Sequence, residues 1–466
     1  MRTLLFAFAL APLLVRADIA DPPAIYVEGY PNHSSYTQGE EAAFHISTTA
    51  ATFDAVIERV GKERTKVLER KTIPGKHSPV PDTAAADGCH WPESFRLTIG
   101  NDWPTGYYEM TLTARDNGGP WSRRGARTAT SSLFFIVKPA KPGAKILLQL
   151  CTNTYNAYTN YGGFSLYGYN AISKNQGHRV SFERPQSSQF ARWELPFVVW
   201  CEQNGYALDY AANSDLEFHP EIFANYKLVL SVGHDEYWSS PMRDNLEAFI
   251  AKGGNVAFFS GNSVCWQVRS EDDGRALTCW KQNYGNDPVW QEKDRSLLST
   301  SWSHHLVGRP ENKLTGVGFL QGGYRQSHGQ FMTDKAEYTV HRPDHWIFEG
   351  TGLKRGDVFG NKDTIVGYEC DGCELEWRDG LPFPTFKDGT PKTFEVLATC
   401  PVRWHPDDAA WYERWSPDTI GNSTLGLYTQ GGTVFTSAST DWSHGLKGGD
   451  KIVDRVTRNV LDRLGK

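Results

Sequence analysis

The sequence predicts a two-part chain: an all-β, immunoglobulin-like sandwich over residues 22–138, followed by an α/β domain with a parallel sheet over 144–466. Three observations carry this. Short alternating or apolar runs, separated by clusters of Gly, Pro, Asn and Asp, fill the first part. Continuous apolar runs of the kind buried on both faces mark the second part. Between two of those runs lies a capped helical pattern, which makes a strand–helix–strand unit and implies a crossover between parallel strands.

The elements follow in order. Met1-Arg2, the apolar run Leu4 to Val15, and Val15-Arg16-Ala17 before Asp18 form a secretory signal pattern over residues 1–17. The run is too short to span a membrane, so a secreted, extracellular chain is expected. "AAFHIST", "FDAVIERV", "SFRLTIG", "YYEMTLTA" and "SSLFFIV" supply the strands of the sandwich. The stretch Lys138 to Gly143, "KPAKPG", reads as a linker because its prolines and glycine break regular structure. "AKILLQL", "KLVLSVG" and "NVAFFSG" are then three buried strands. In "SSPMRDNLEAFIAKGG", Ser239 or Ser240 can cap a helix, Pro241 suits its first turn and Gly253 its end. "DTIVGYE" and "GTVFTSAS" read as further strands, and "GDKIVDRVTRNVLDRL" as a closing amphipathic helix.

Composition narrows the function. The net charge of −6, with no long basic run, argues against a nucleic-acid partner. An aromatic content of 13%, with 16 Trp, suits aromatic-lined pockets and equally a large β-rich core. Eight cysteines in a chain read as secreted suggest disulfides, with Cys265/Cys279 and Cys370/Cys373 the local candidates. Asn32-His33-Ser34 and Asn422-Ser423-Thr424 are glycosylation sequons.

Ligands in open α/β sheets bind beyond the C-terminal ends of the strands. Here the strand ends deliver Tyr155 and Tyr158, then His234-Asp235-Glu236-Tyr237, then Asn262, then Glu369 and Asp371. On an extended continuation His234 and Glu236 point to one side and Asp235 to the other, so His234 and Glu236 are the natural pair for a site. Asp235 reads as a cap or support residue. No G-x-S-x-G elbow, H-E-x-x-H, P-loop or strand-following G-x-G-x-x-G occurs, and Cys151 lacks the context of a nucleophile. Carboxylates, a histidine, an asparagine and tyrosines remain. That set suits a hard-metal site or paired-carboxylate glycosidase chemistry.

Taken together, "SVGHDEYWS", "MRDNLEAF" and "GGNVAFFSGN", with "TNTYNAYTNYGGFSLY", "RWELPFVVWCEQNGYALDY", "VGYECDG" and "TSASTDWSHGL" in the same order, resemble the N,N-dimethylformamidase large-subunit family in its C-terminal catalytic portion. The resemblance implies a class I glutamine-amidotransferase-like fold and a mononuclear non-haem iron (Fe3+). By motif, the implied ligands are Glu236, Tyr155 and Tyr108 of Thr105-Gly106-Tyr107-Tyr108, with Tyr107 the alternative if the register is off by one. His234, Asn262 and Glu369 fall at the catalytic positions. The activity implied is hydrolysis of a small amide or other C–N bond. The family enzyme works with a small partner subunit, so an unseen small subunit or a homo-oligomer is the partner implied. The competing expectation is a secreted carbohydrate-active or glycan-binding protein that uses the acidic residues and the many tryptophans.

Overall fold

The computed structural model describes residues 24–116, 127–325, 332, 335–404, 411–414 and 420–466. The signal pattern at 1–17 lies outside the described residues. Residues 27–138 form two sheets that share one core. One holds Val27–Pro31, Glu41–Thr48 and Phe95–Thr98. The other runs in the order Ser35–Thr37, Arg127–Lys138, Gly106–Asp116, Thr52–Val60 and Arg64–Pro74. The period-two pattern sorts their side chains. Tyr108, Met110, Leu112 and Ala114 enter the core with Phe44, Ile57 and Phe135. Tyr107 faces the other way and stacks on Phe190 at 4.0 Å between ring centroids.

One end of that outer face is covered. Val60, Tyr107, Phe134 and Ile136 join the core of the following region. The Tyr210 amide also donates to Thr105 Oγ1 at 3.1 Å. Strands of the first region thereby cover Asp209–Ala212, an edge strand that would otherwise offer open hydrogen-bonding groups.

The second region is organised by a nine-stranded sheet. Its order is Asp209–Ala212, Ile146–Leu150, Leu228–His234, Asn255–Gly261, Gly432–Thr436, Ile420–Gln430, Glu395–Arg403, Tyr338–Val340 and Val358–Phe359. The first five strands run parallel and the rest pair antiparallel. Leu228, Leu230 and Val232 pack on one face and Val229 on the other, which is why the run is apolar throughout. One face is covered by Glu194–Gln203 and Lys451–Leu464, through Phe197, Val453, Val456 and Val460. The other is covered by Ser240–Ala251, through Met242, Leu246, Phe249 and Ile250, each worth roughly 2 kcal/mol of burial. Ser239 caps that helix by accepting from the Met242 amide at 3.2 Å.

These features correct the expected fold class. The chain has more strand than helix, its sheets are several and mixed, and a parallel α/β domain of the class I glutamine-amidotransferase-like type is not what it adopts. The apolar runs that suggested one all lie in the parallel half. In the other half the strands pair antiparallel, and a one-residue turn at Gly431 joins Ile420–Gln430 to Gly432–Thr436, where a parallel pair would need a long crossover. "DTIVGYE" is a turn followed by irregular chain, and the short strand Cys370–Gly372 begins only after it. All eight cysteines are free and buried. Cys370 and Cys373 pack into different cores. Cys279 Sγ turns to the Gln267 and Ser299 carbonyls rather than to Cys265.

Candidate functional site

His234 closes the strand Leu228–His234, in register with Gly261 on the neighbouring strand. Gly233 just before it has φ +83, and a Cβ there would lie 2.3 Å from Trp193 Cβ. Only glycine lets Trp193 sit against the strand end. Beyond His234 the chain is pinned on both sides. The Glu236 amide donates to Thr154 Oγ1 at 3.1 Å, and the Trp266 amide donates to the Glu236 carbonyl at 2.8 Å. The side chains alternate as expected. His234 and Glu236 meet, while Asp235 turns underneath to accept from Ser231 Oγ at 2.8 Å and from Gln149. Asp235 is a support and caps no helix, since Ser239 does that.

Three of the expected residues converge on Glu236 or its partner. His234 Nε2 lies 3.2 Å from Glu236 Oε2 and 2.7 Å from Glu369 Oε2, with all three side chains buried. Asn262 Nδ2 donates to Glu236 Oε1 at 2.9 Å. Asn262 sits in a reversal after its strand, with φ +49, a conformation asparagine tolerates. Val264, two residues on, has φ +57 and is strained there as a β-branched residue. Asp371 holds this loop by accepting from the Ser263 amide at 3.0 Å, and burial pushes its carboxyl up to about 8. Glu369 arrives from irregular chain rather than from a strand end. Its backbone is fixed by the Thr440 amide, which donates to the Glu369 carbonyl at 3.1 Å.

The two expected tyrosines are not brought to Glu236. Tyr108 lies in the core of the first region and donates its hydroxyl to the Pro104 carbonyl at 2.6 Å. The alternative, Tyr107, packs between Phe134 and Phe190. Tyr155 donates to buried Glu194. Other tyrosines take their place. Tyr167 Oη lies 3.0 and 3.1 Å from the two Glu236 oxygens, 2.7 Å from Tyr158 Oη and 2.8 Å from Tyr237 Oη. Trp266 Nε1 donates to Glu236 Oε1 at 3.2 Å. The rings of Trp193, Tyr158 and Tyr368 surround the His234 imidazole at 5.2–5.6 Å.

Lys281 completes the charge balance. Its buried ammonium lies 3.2 Å from the Tyr167 ring centroid and 4.7 Å from that of Trp266, a cation held by aromatic faces. The sequence offers no signal for it beyond one lysine in "CWKQN". Tyr167 was visible only as one of several tyrosines in "NYGGFSLYGYN".

The electrostatics follow from burial and pairing. Burial pulls the His234 imidazole down, but the Glu369 and Glu236 carboxylates outweigh it and push it up to about 10. Burial alone would raise Glu236, and the His234 charge holds it below the usual carboxylate range. Burial pushes the Tyr158, Tyr167 and Tyr237 phenols up, with Glu236 adding to the effect. Burial draws Lys281 down to about 8, with Glu236 opposing.

The donor set suits a hard cation. His234, Glu236 and Glu369 offer ligand atoms within 4.8 Å of one another. The Tyr158 and Tyr167 oxygens adjoin the same carboxylate. Asn262 Oδ1 is buried there without a hydrogen-bond partner among the described residues. Oxygen-rich, partly anionic sets of this kind favour hard metal ions.

The family described as "N,N-dimethylformamidase beta subunit-like, C-terminal" matches residues 56–455. The N,N-dimethylformamidase beta subunit of Alcaligenes sp is 24% identical over 452 residues, covering 82% of this chain and 55% of that protein. The chain thus spans about half the length of the curated relative it matches. A match over that much of the sequence agrees with the likeness read from the strand-end motifs, and the chain belongs to the N,N-dimethylformamidase beta subunit-like family, in its C-terminal part.

Proposed function

We propose that this protein is a metal-dependent hydrolase of small amides, acting at the Glu236–His234–Glu369 centre. The observation that carries the reading is the convergence of two buried carboxylates, one shared imidazole and two tyrosine hydroxyls on a single point at the sheet edge. Glu236, Tyr158 and Tyr167 would hold the metal, and the phenol oxygens favour ferric iron over zinc or magnesium. A free phenol titrates near 10, so binding it as phenolate at neutral pH takes a strong Lewis acid. When bound, the metal would polarise the amide carbonyl and make water a better nucleophile.

The chain's own residues supply the rest. The Glu369 carboxylate, paired with His234 Nε2 at 2.7 Å, would take the proton from the attacking water and return it to the leaving nitrogen. His234 Nδ1 faces Gln189 Oε1 at 3.3 Å, which fixes the ring so that Nε2 serves both carboxylates. Asn262 holds one Glu236 oxygen in place. The wall of Trp193, Tyr158 and Tyr368 would exclude bulk water from the proton path. The relative is named as a subunit, so a partner chain belongs to the same proposal.

The test is elemental analysis of the purified protein together with an assay for amine released from formamide, dimethylformamide and acetamide. Stoichiometric iron, a visible tyrosinate-to-metal band and released amine are the expected results. A colourless, metal-free protein that releases no amine, alone or after incubation with iron, would overturn the reading.

A further inference from the structure

The rim of this centre carries a cation that neither the proton chemistry nor the metal ligands use. Arg192 is exposed, and its guanidinium carbon lies 4.3 Å from the Trp193 ring centroid and 5.2 Å from that of Tyr368. These are two of the rings that wall His234. The platform is built rather than incidental. Asp441 accepts from Trp193 Nε1 at 2.8 Å with one oxygen and from the Tyr368 amide at 2.9 Å with the other, tying the Trp193 ring to the Tyr368 main chain. The Ser443 hydroxyl donates to the Trp193 carbonyl at 2.6 Å. Some exposed arginines find carboxylates, as Arg64 does with Glu58 and Glu109, while others, Arg355 and Arg463 among them, have none within ion-pair distance among the described residues. Among the described residues no carboxylate lies within ion-pair distance of Arg192. Stacking occupies the flat faces of a guanidinium and leaves its in-plane N–H fork open, the geometry that grips a carboxylate with two hydrogen bonds.

We infer that Arg192 selects an anionic substrate: an amide that carries a carboxylate a few bonds from the scissile carbonyl, of which N-acyl amino acids are the simplest. The carboxylate would rest on Arg192 at the rim. Repulsion from Glu236 and Glu369 would keep that end out, while the uncharged amide passes the Trp193 and Tyr368 rings toward His234. A neutral amide would gain nothing from an unpaired cation held there. Arg192 is then a specificity residue and takes no part in bond breaking.

This inference rests on the amide-hydrolase reading, and the experiment separates the two. N-formylglycine and its neutral partner N-formylglycinamide are compared in kcat/KM on the metal-loaded wild-type chain and on Arg192→Gln. A wild-type preference of about tenfold for the carboxylate, collapsing toward unity in the variant, is expected. Arg192→Lys should restore only part of it, since a lysine cannot present a flat fork. Turnover of both amides at equal kcat/KM by the wild type would overturn the inference and leave the hydrolase reading standing. If neither is turned over, calorimetric binding of N-formylglycine decides. Binding that is lost in Arg192→Gln supports the assignment, whereas equal or absent binding in both proteins removes it.

Discussion

His234 with Glu236 and Glu369, and His304 and His305 with Glu413, are clusters made of the same side chains, and in both the imidazole nitrogens lie within 3.4 Å of carboxylate oxygens. Their settings differ. The Glu236 and Glu369 side chains are 1% and 5% exposed, whereas that of Glu413 is 47% exposed. Burial lowers His304, and a carboxylate that far into water does not reverse it. Burial lowers His234 too, yet two enclosed carboxylates push it to about 10. The Leu306 amide also points at His304 Nδ1 at 3.3 Å, so Nε2 carries the hydrogen and is committed to donating to Glu413. Like residues therefore make a surface clasp in one place and a candidate reaction centre in the other, and enclosure makes the difference.

The largest effect should come from breaking the buried member of the pair. Glu236→Gln is expected to lower bound metal and kcat/KM by more than about 100-fold, because even the loss of outer partners costs metal sites 10–100-fold. Glu413→Gln should leave both within about twofold. Metal analysis and amine release on the two variants check this, and equal losses would erase the contrast.

A second comparison sharpens the choice of tyrosines. Tyr167→Phe should lose the visible band and most of the metal. Tyr155→Phe should keep both and instead lose about 1–3 kcal/mol of stability, since Glu194 is left buried without its hydroxyl donor. Urea unfolding and the visible spectrum separate the outcomes. Loss of the band in Tyr155→Phe would restore that residue as a ligand.

The smallest effect concerns pH. Burial raises Glu194 from 4.5 to about 7, with Tyr155 pulling the other way. Between those values the folded chain holds a proton that the unfolded chain has released. Stability from this group is therefore full below about 4.5 and is lost as pH rises through about 7. Glu194→Gln should remove on the order of 1–3 kcal/mol of the difference in unfolding free energy between pH 5 and pH 8. An unchanged difference would mean that Glu194 is ionised in the fold across that range.

Much of the site's frame was legible in the residues because it depends on local rules. Unbroken apolar runs mark strands buried on both faces, and Leu228–His234 and Asn255–Gly261 are such strands. Alternation alone separates His234 and Glu236 from Asp235. What could not be read depends on contacts between distant segments. In the helix Thr152–Tyr158, Tyr155 and Tyr158 lie three residues apart, close in phase, yet one meets Glu194 and the other Tyr167. Glu369 reaches the centre although its expected strand does not form, because its backbone is tied to Thr440. The antiparallel half of the sheet stayed hidden for a related reason. Ile420–Gln430 carries Asn422, Ser423 and Thr424 in its middle, and Glu395–Arg403 is interrupted by a bulge, so neither reads as a clean run.

One consequence follows from Gly261, the partner of His234 in the sheet. A Cβ there would lie 2.3 Å from the Glu369 carbonyl oxygen and 2.5 Å from the Thr440 nitrogen. Two main-chain segments from distant parts of the sequence are in direct apposition at that point, with no side chain between them to adjust. The main-chain spacing between the strand that flanks His234 and the segment that carries Glu369 is thus fixed at closest approach. Changing a ligand would alter the chemistry at a fixed spacing, whereas a single methyl at residue 261 would change the spacing itself and leave every reacting group in the sequence.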